Sequence, residues 1–170
     1  ALPGFAALSS TGAYANFCFG QGELLTTPLQ IAAMMNTIAS GGVYHVPCLV
    51  EGTVDESTGK LLTGQTTEAG RRVLSETAAK ALQSLLAGVV ANGTGHDAAL
   101  PETQTAGKTG TAQTGQFAGG VEQKNYWFAG FFPAEAPQYT VVVLQDAQTE
   151  PALSSAAIFA RVAAGLEILL

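Results

Sequence analysis

The residues best equipped for chemistry lie between 106 and 115, in the stretch AGKTGTAQTG. Lys108 brings an ammonium, Thr109 and Thr111 bring hydroxyls, and Gly110 between them has no side chain. Two kinds of site use such a set. A phosphate-binding loop needs Gly-x-x-x-x-Gly-Lys-[Ser/Thr] opening a helix whose free N–H groups face the anion. Here Gly107-Lys108-Thr109 supplies only the tail, and Glu102 stands where the leading glycine belongs. A carboxylate there would repel phosphate. Gly110, Thr111, Thr114 and Gly115 are also poor helix starters, and Gly119-Gly120 follows soon after. The phosphate reading is set aside.

The second kind of site is the wall of an acyl-transfer cleft. On a strand bordering a groove, Gly110 lets a substrate backbone lie against the chain. Lys108 offers a cation to a carboxylate or a neighbouring hydroxyl, and Thr109 and Thr111 offer hydroxyls to a terminal carboxylate. The Thr111 backbone N–H can then help hold the oxyanion of a tetrahedral intermediate. These four residues alone leave a bland alternative open, a surface strand with a solvated lysine.

The surrounding sequence must supply that strand and its support. Residues 1–25 read as irregular. Thr27, Pro28 and Gln30 then open a helix through a Thr-x-x-Gln capping box, with LQIAAMMNTIAS apolar almost all round and Gly41-Gly42 ending it. That composition implies burial on most sides. VYHVPCLVEGTV, residues 43–54, predicts one or two short strands, with Pro47 at an edge. DESTGK is a turn and LLT a returning strand. Ser75 caps a helix over about 76–91 with an apolar stripe of Ala78, Leu82, Leu85, Leu86 and Val89, stopped by Asn92-Gly93. TAGKTGTAQ, NYWFAGFF and YTVVVLQ predict three antiparallel strands, since the links between them are short. A helix capped by Ser154 closes the chain, with Ile158, Val162, Leu166 and Leu169 covering the sheet. The fold class is α+β, an antiparallel sheet with flanking helices.

Composition narrows the partners. With 170 residues, 47% hydrophobic and 12% charged, the chain has the length and the core of one domain. A net charge of −6 with only 7 Lys and Arg leaves little to meet a nucleic-acid backbone. Cys18 and Cys48 lie in apolar settings; they either pair or stay free, and two buried thiols is the simpler reading. No His stands at metal-ligand spacing from either, and no cofactor is called for. His45 and His96 read as structural. No run of 18 apolar residues exists to span a membrane. The chain starts Ala-Leu-Pro-Gly, so it is expected to be part of something longer, with any membrane anchor or export signal in the missing part.

Several motifs in register carry a resemblance. GQGELLTTPLQIAAMMNTIASGG (20–42), VLSETAAKALQSLLAGVVANGTG (73–95), AGKTGTAQ (106–113) and NYWFAGFFPAEAPQYTVVVLQD (125–146) resemble, in the same order, segments of class B penicillin-binding proteins. Lys-Thr-Gly is one of the signature elements of these proteins and of the related serine β-lactamases. The chain is therefore similar to the C-terminal portion of a class B penicillin-binding protein transpeptidase domain, and residues 1–170 read as a partial domain. The resemblance implies a D,D-transpeptidase that cross-links peptidoglycan at D-Ala-D-Ala and is trapped by β-lactams. It implies that Lys108, Thr109, Gly110 and Thr111 bind the donor, with Lys108 and Thr111 serving catalysis. It also implies a place on the outer face of the bacterial cytoplasmic membrane. A β-lactam-sensing or non-catalytic penicillin-binding domain is the alternative.

The family's Ser-x-x-Lys nucleophile and Ser-x-Asn element are not found at their places. Ser57-Thr58-Gly59-Lys60 matches Ser-x-x-Lys but sits in a polar turn after Gly-Gln-Gly, so Ser57 reads as a hairpin residue. Tyr14-Ala15-Asn16 imitates Tyr-x-Asn but abuts Gly20-Gln21-Gly22, and reads as the run-in to the helix. Gly20-Gln21-Gly22 itself reads as a structural turn. The upstream half of the domain is expected to bring the nucleophile, so the sheet should show a face or edge that this half would cover. Gln113 and Thr114 either line the cleft or pack a loop, while Tyr126, Trp127 and Phe128 read as core and sheet packing.

Overall fold

A computed structural model describes residues 9–22, 24–50, 52–62 and 69–169. Among the described residues the elements in chain order are α1 (Thr11–Cys18), α2 (Pro28–Ala39), β1 (Val43–Tyr44), β2 (Thr53–Val54), β3 (Leu61–Leu62), β4 (Arg71–Arg72), α3 (Glu76–Asn92), a 3-10 turn (His96–Ala98), β5 (Ala106–Ala118), β6 (Val121–Phe132), β7 (Tyr139–Gln148) and α4 (Ser155–Glu167). The three long strands form one antiparallel sheet in the order β5-β6-β7. Two short pairs, β1 with β4 and β2 with β3, stand apart from it.

Local chemistry sets the helix starts. Thr27 and Gln30 close the capping box: the Thr27 N–H donates to Gln30 Oε1 at 2.8 Å and the Gln30 N–H to Thr27 Oγ1 at 3.2 Å. Ser75 and Ser154 cap α3 and α4 by accepting from the N–H of Ala78 and Ala157. At the other end of α2, Gln83 of α3 donates its amide to the carbonyls of Ile38 and Ala39, filling two acceptors that the helix end leaves open. Gly42, at φ +94°, then lies against the next segment so closely that a Cβ there would stand 2.5 Å from the Leu74 carbonyl oxygen.

The core has two leaves, one on each face of the sheet. Alternation along β6 turns Ala129 and Phe131 to one face, where Met35, Ile38 and Ala39 of α2 meet them. Phe128 and Phe132 turn to the other face and meet Ala156, Phe159 and Ala163 of α4. The Phe159 ring lies 4.8 Å from that of Phe128 and 6.0 Å from that of Phe132, tilted and edge-on respectively. Such aromatic geometry adds to simple area burial.

Several expectations need correction. Residues 11–18 are helical, with Ser10 as N-cap, although α1 buries none of its residues and carries no apolar stripe. The Tyr14-Ala15-Asn16 run therefore lies inside a helix of its own. Leu85 is exposed on α3, whose buried positions are Ala79 and Val90. On α4 the sheet-facing residues are Ala156, Phe159 and Ala163, with Leu166 beside them, while Val162 is 42% and Leu169 69% exposed. Alanines on both sides of Phe159 let the helix come close enough for the ring to reach the sheet, which a row of larger side chains would prevent. Leu29 and Met34 of α2 are each about half exposed, so the helix is not buried on most sides. Cys18 and Cys48 are both exposed rather than buried; Cys48 lies on an irregular segment, its thiol donating to the Val50 carbonyl at 3.0 Å. Among the described residues no strand pairs with the outer edge of β7.

The two faces of α4 should separate cleanly in thermal or urea unfolding of this chain. Phe159→Ala is expected to cost about 3–5 kcal/mol and Val162→Ala no more than about 0.5 kcal/mol. Equal losses would put the sheet-facing stripe on the wrong side.

Candidate functional site

β5 leaves the core at the point where its chemistry begins. Ala106 and Gly107 are buried and Lys108 is exposed. In the ladder with β6, Lys108 stands opposite Ala129, Thr109 opposite Phe128, Gly110 opposite Trp127 and Thr111 opposite Tyr126. The stretch that resembles a phosphate loop is thus a strand, with no helix after it. Gly110 has a packing reason as well as an approach reason: a Cβ there would press Trp127 Cβ at 3.3 Å.

The outer edge of β5 carries no strand among the described residues. Lys108 Nζ curls over that edge and donates to the Thr109 carbonyl at 2.9 Å and to Thr109 Oγ1 at 3.2 Å. The Thr109 and Thr94 hydroxyls are 3.0 Å apart. The Thr111 carbonyl accepts from the side-chain amide of Gln21 at 3.0 Å, across 90 residues of sequence. On the far side of the ladder, the carbonyl of its partner Tyr126 accepts from Ser155 Oγ at 2.9 Å. In an antiparallel pair the N–H and C=O of one residue leave the strand together, alternately toward and away from the neighbour. The Thr111 N–H therefore shares the open edge with its carbonyl.

Thr109 and Thr111 point to the α4 side and help line a cavity of about 260 Å³ with Thr94, Tyr126, Trp127 and Ser155. Several hydroxyls border it, but most of its surface is carbon, from residues that include Trp127, Pro151 and Ala156. Lys108 belongs to the opposite face by alternation, and its length lets the ammonium meet Thr109 Oγ1 at the edge. The Lys108 ammonium and the Thr109 hydroxyl thus meet at the strand edge, beside the outward-facing peptide groups of Thr111. This set suits a ligand with a carboxylate at one end and a polarised carbonyl beside it.

The remaining sequence candidates divide. Ser57 is a turn residue: its hydroxyl donates to Asp55 Oδ1 at 2.6 Å, and the N–H groups of Ser57 and Thr58 donate to the same oxygen at 2.9 and 3.0 Å. These bonds, led by that of the Ser57 hydroxyl, hold the Asp55 carboxyl below its ordinary range. Gln113 and Thr114 bind β6 instead of the cleft, to Glu122 Oε2 at 2.8 Å and the Gln123 carbonyl at 2.6 Å. Phe128 is core as expected, but Tyr126 and Trp127 also border the cavity. His96 approaches Asp97 at 3.0 Å, and Asp97 in turn accepts from Ser154 at the start of α4. Thr94 and Gln21 belong to the site and were not singled out for it; the Gly-Gln-Gly turn was visible in sequence, its target was not.

Comparison with known proteins places the chain. The penicillin-binding protein transpeptidase domain model matches residues 4–164. Penicillin-binding protein PbpB of Mycolicibacterium smegmatis is 36% identical over 92% of this chain and 26% of its own length. Peptidoglycan D,D-transpeptidase PbpA of Mycobacterium tuberculosis is 34% identical over 85% of this chain and 28% of its own length. The structure of penicillin-binding protein A from M. tuberculosis, an imipenem acyl-enzyme complex, superposes with a TM-score of 0.76 at 29% identity, covering 94% of this chain and 35% of that one. The chain thus spans about a quarter of the length of the curated relatives it matches.

The Asp55 turn gives a pH test. The carboxylate is favoured by the fold, so its contribution is complete above the ordinary carboxylate range and is lost as pH falls through the lowered value. The amide shifts of Ser57 and Thr58 should hold through that range and move only at lower pH, as followed by NMR. Titration at the ordinary value would mean that the turn bonds do not form in solution.

Proposed function

The chain belongs to the penicillin-binding protein transpeptidase domain family, and on that premise we propose that it forms the Lys-Thr-Gly-Thr wall of a peptidoglycan D,D-transpeptidase. The observation that carries this reading is the open edge of β5, where Lys108 Nζ meets Thr109 Oγ1 at 3.2 Å beside the outward-facing peptide groups of Thr111. In this reading residues 1–170 are the C-terminal part of the domain, and the upstream part brings a serine nucleophile with the Ser-x-x-Lys and Ser-x-Asn elements. The intact protein works on the outer face of the cytoplasmic membrane.

The reaction then divides into two acyl transfers. The upstream serine oxygen attacks the carbonyl of the D-Ala-D-Ala bond of a stem peptide, its proton passing to a base. Lys108 and the Thr109 and Thr111 hydroxyls hold the terminal carboxylate of the donor, while the Thr111 N–H donates to the oxyanion. The C–N bond breaks, the leaving D-Ala takes a proton, and an ester remains on the serine. An amine of a second stem peptide attacks that ester, forms the cross-link and frees the serine. A β-lactam carries a similar carboxylate beside a strained amide and stops at the ester. The acyl-enzyme of a relative with imipenem supports that step.

Labelling of the intact protein by a fluorescent penicillin checks the roles. Lys108→Ala is expected to slow acylation by about a hundredfold or more. Unchanged labelling would remove Lys108 from the site. Transfer of the acyl group to an amine after acylation marks a transpeptidase, and a stable adduct without transfer marks a sensor. Residues 1–170 alone should take no label, and a stoichiometric adduct on Ser57 would overturn that.

A further inference from the structure

Resting on the reading just given, we propose that Gln21 is a positioning residue: its side-chain amide holds the Thr111 peptide unit so that the Thr111 N–H points at the reacting carbonyl. Thr111 sits where the ladder leaves its groups unpaired by β6, at the edge that a substrate must approach. Its carbonyl is open there, and Gln21 Nε2 donates to it at 3.0 Å across 90 residues of sequence.

The contact is built. Gln21 stands between two left-handed glycines, Gly20 at φ +78° and Gly22 at φ +87°, a backbone that residues with a Cβ rarely adopt. Its own N–H donates to the Asn16 carbonyl at 2.9 Å, and the Gly20 N–H donates to the Phe17 carbonyl at 3.1 Å. The turn is thereby fastened to the end of α1, and the Gln21 side chain is the part that reaches β5. That explains why a short helix with no buried residue sits ahead of α2.

The chemistry asks for an amide of this length. A carbonyl oxygen accepts two hydrogen bonds. Gln21 takes one lone pair of Thr111 and leaves the other to a backbone N–H of an extended ligand added along the edge. Alanine removes the donor. A glutamate in its place is isosteric but acceptor-only when ionised, and regains an O–H donor when protonated.

The test uses the intact protein and a labelled penicillin, with non-covalent Kd and first-order acylation rate measured separately. Q21A is expected to slow the acylation step about tenfold, with Kd and Tm close to those of the parent, because an interaction that orients an oxyanion donor acts mainly in the transition state. Q21E is expected to be at least as slow at neutral pH. Its rate relative to the parent should rise as pH falls toward about 4.3, where the side chain gains a proton. Acylation by Q21A within about twofold of the parent, a loss carried by Kd or Tm alone, or a Q21E-to-parent ratio flat with pH would each overturn the proposal. K108A is measured alongside. If K108A loses labelling and Q21A does not, only the role of Gln21 falls. If K108A labels normally, or the parent takes no label, the transpeptidase reading falls and the role of Gln21 with it.

Discussion

One aromatic ring decides where β5 can lie. Phe128 is fully buried, and its ring covers the paired glycines Gly107 and Gly130. A Cβ on Gly107 would stand 2.5 Å from Phe128 Cζ, and one on Gly130 2.5 Å from the Ala106 carbonyl oxygen. The missing side chains let β5 and the ring share one layer, with Phe159 of α4 closing it from outside. Lys108 is the next residue along. The step from sealed core to exposed cation therefore happens over one peptide bond, at a position set by packing rather than by a loop. In the role proposed for Lys108, a side chain that has to be held in place gains from that rigidity.

The polar side of the site is assembled differently, from distant pieces. Thr94 comes from the loop behind α3, Ser155 from the first turn of α4, and Gln21 from a turn ahead of α2. Each touches β5 or β6 through a single side-chain hydrogen bond. The sheet gives the groove its line and its central donors, and the flanking segments add Thr94, Ser155 and Gln21 around them.

What could be read in the sequence was whatever depends on neighbouring residues. The capping box of Thr27 and Gln30, the serine caps at 75 and 154, and the three strand runs with short links all carry local signals, and the elements stand where those signals put them. The Lys-Thr-Gly-Thr run was legible because its residue types and order sit on one strand. Faces of helices were less legible. Spacing by bulk selects Leu85 and Val162, whereas close approach to a sheet selects alanine, as Ala79, Ala156 and Ala163 show. α1 was missed because TGAYANFC has no stripe to find. The hydrogen bonds of Gln21 and Thr94 span 90 and 15 residues and exist only once an edge has formed. The order of residues holds no trace of them.

The two margins of the sheet differ in one further respect. Along β5 the margin is interrupted by a charged side chain and by an amide already bonded to it. Along β7 the run Val141-Val142-Val143-Leu144 has no charge, no proline and no described neighbour outside it. Such an edge is a template for another strand, from a second copy or a foreign chain, while its two faces stay covered by the α2 and α4 leaves of the core. For this chain in solution, concentration and waiting time are therefore structural variables, and the first species to form at high protein levels is expected to be joined through β7.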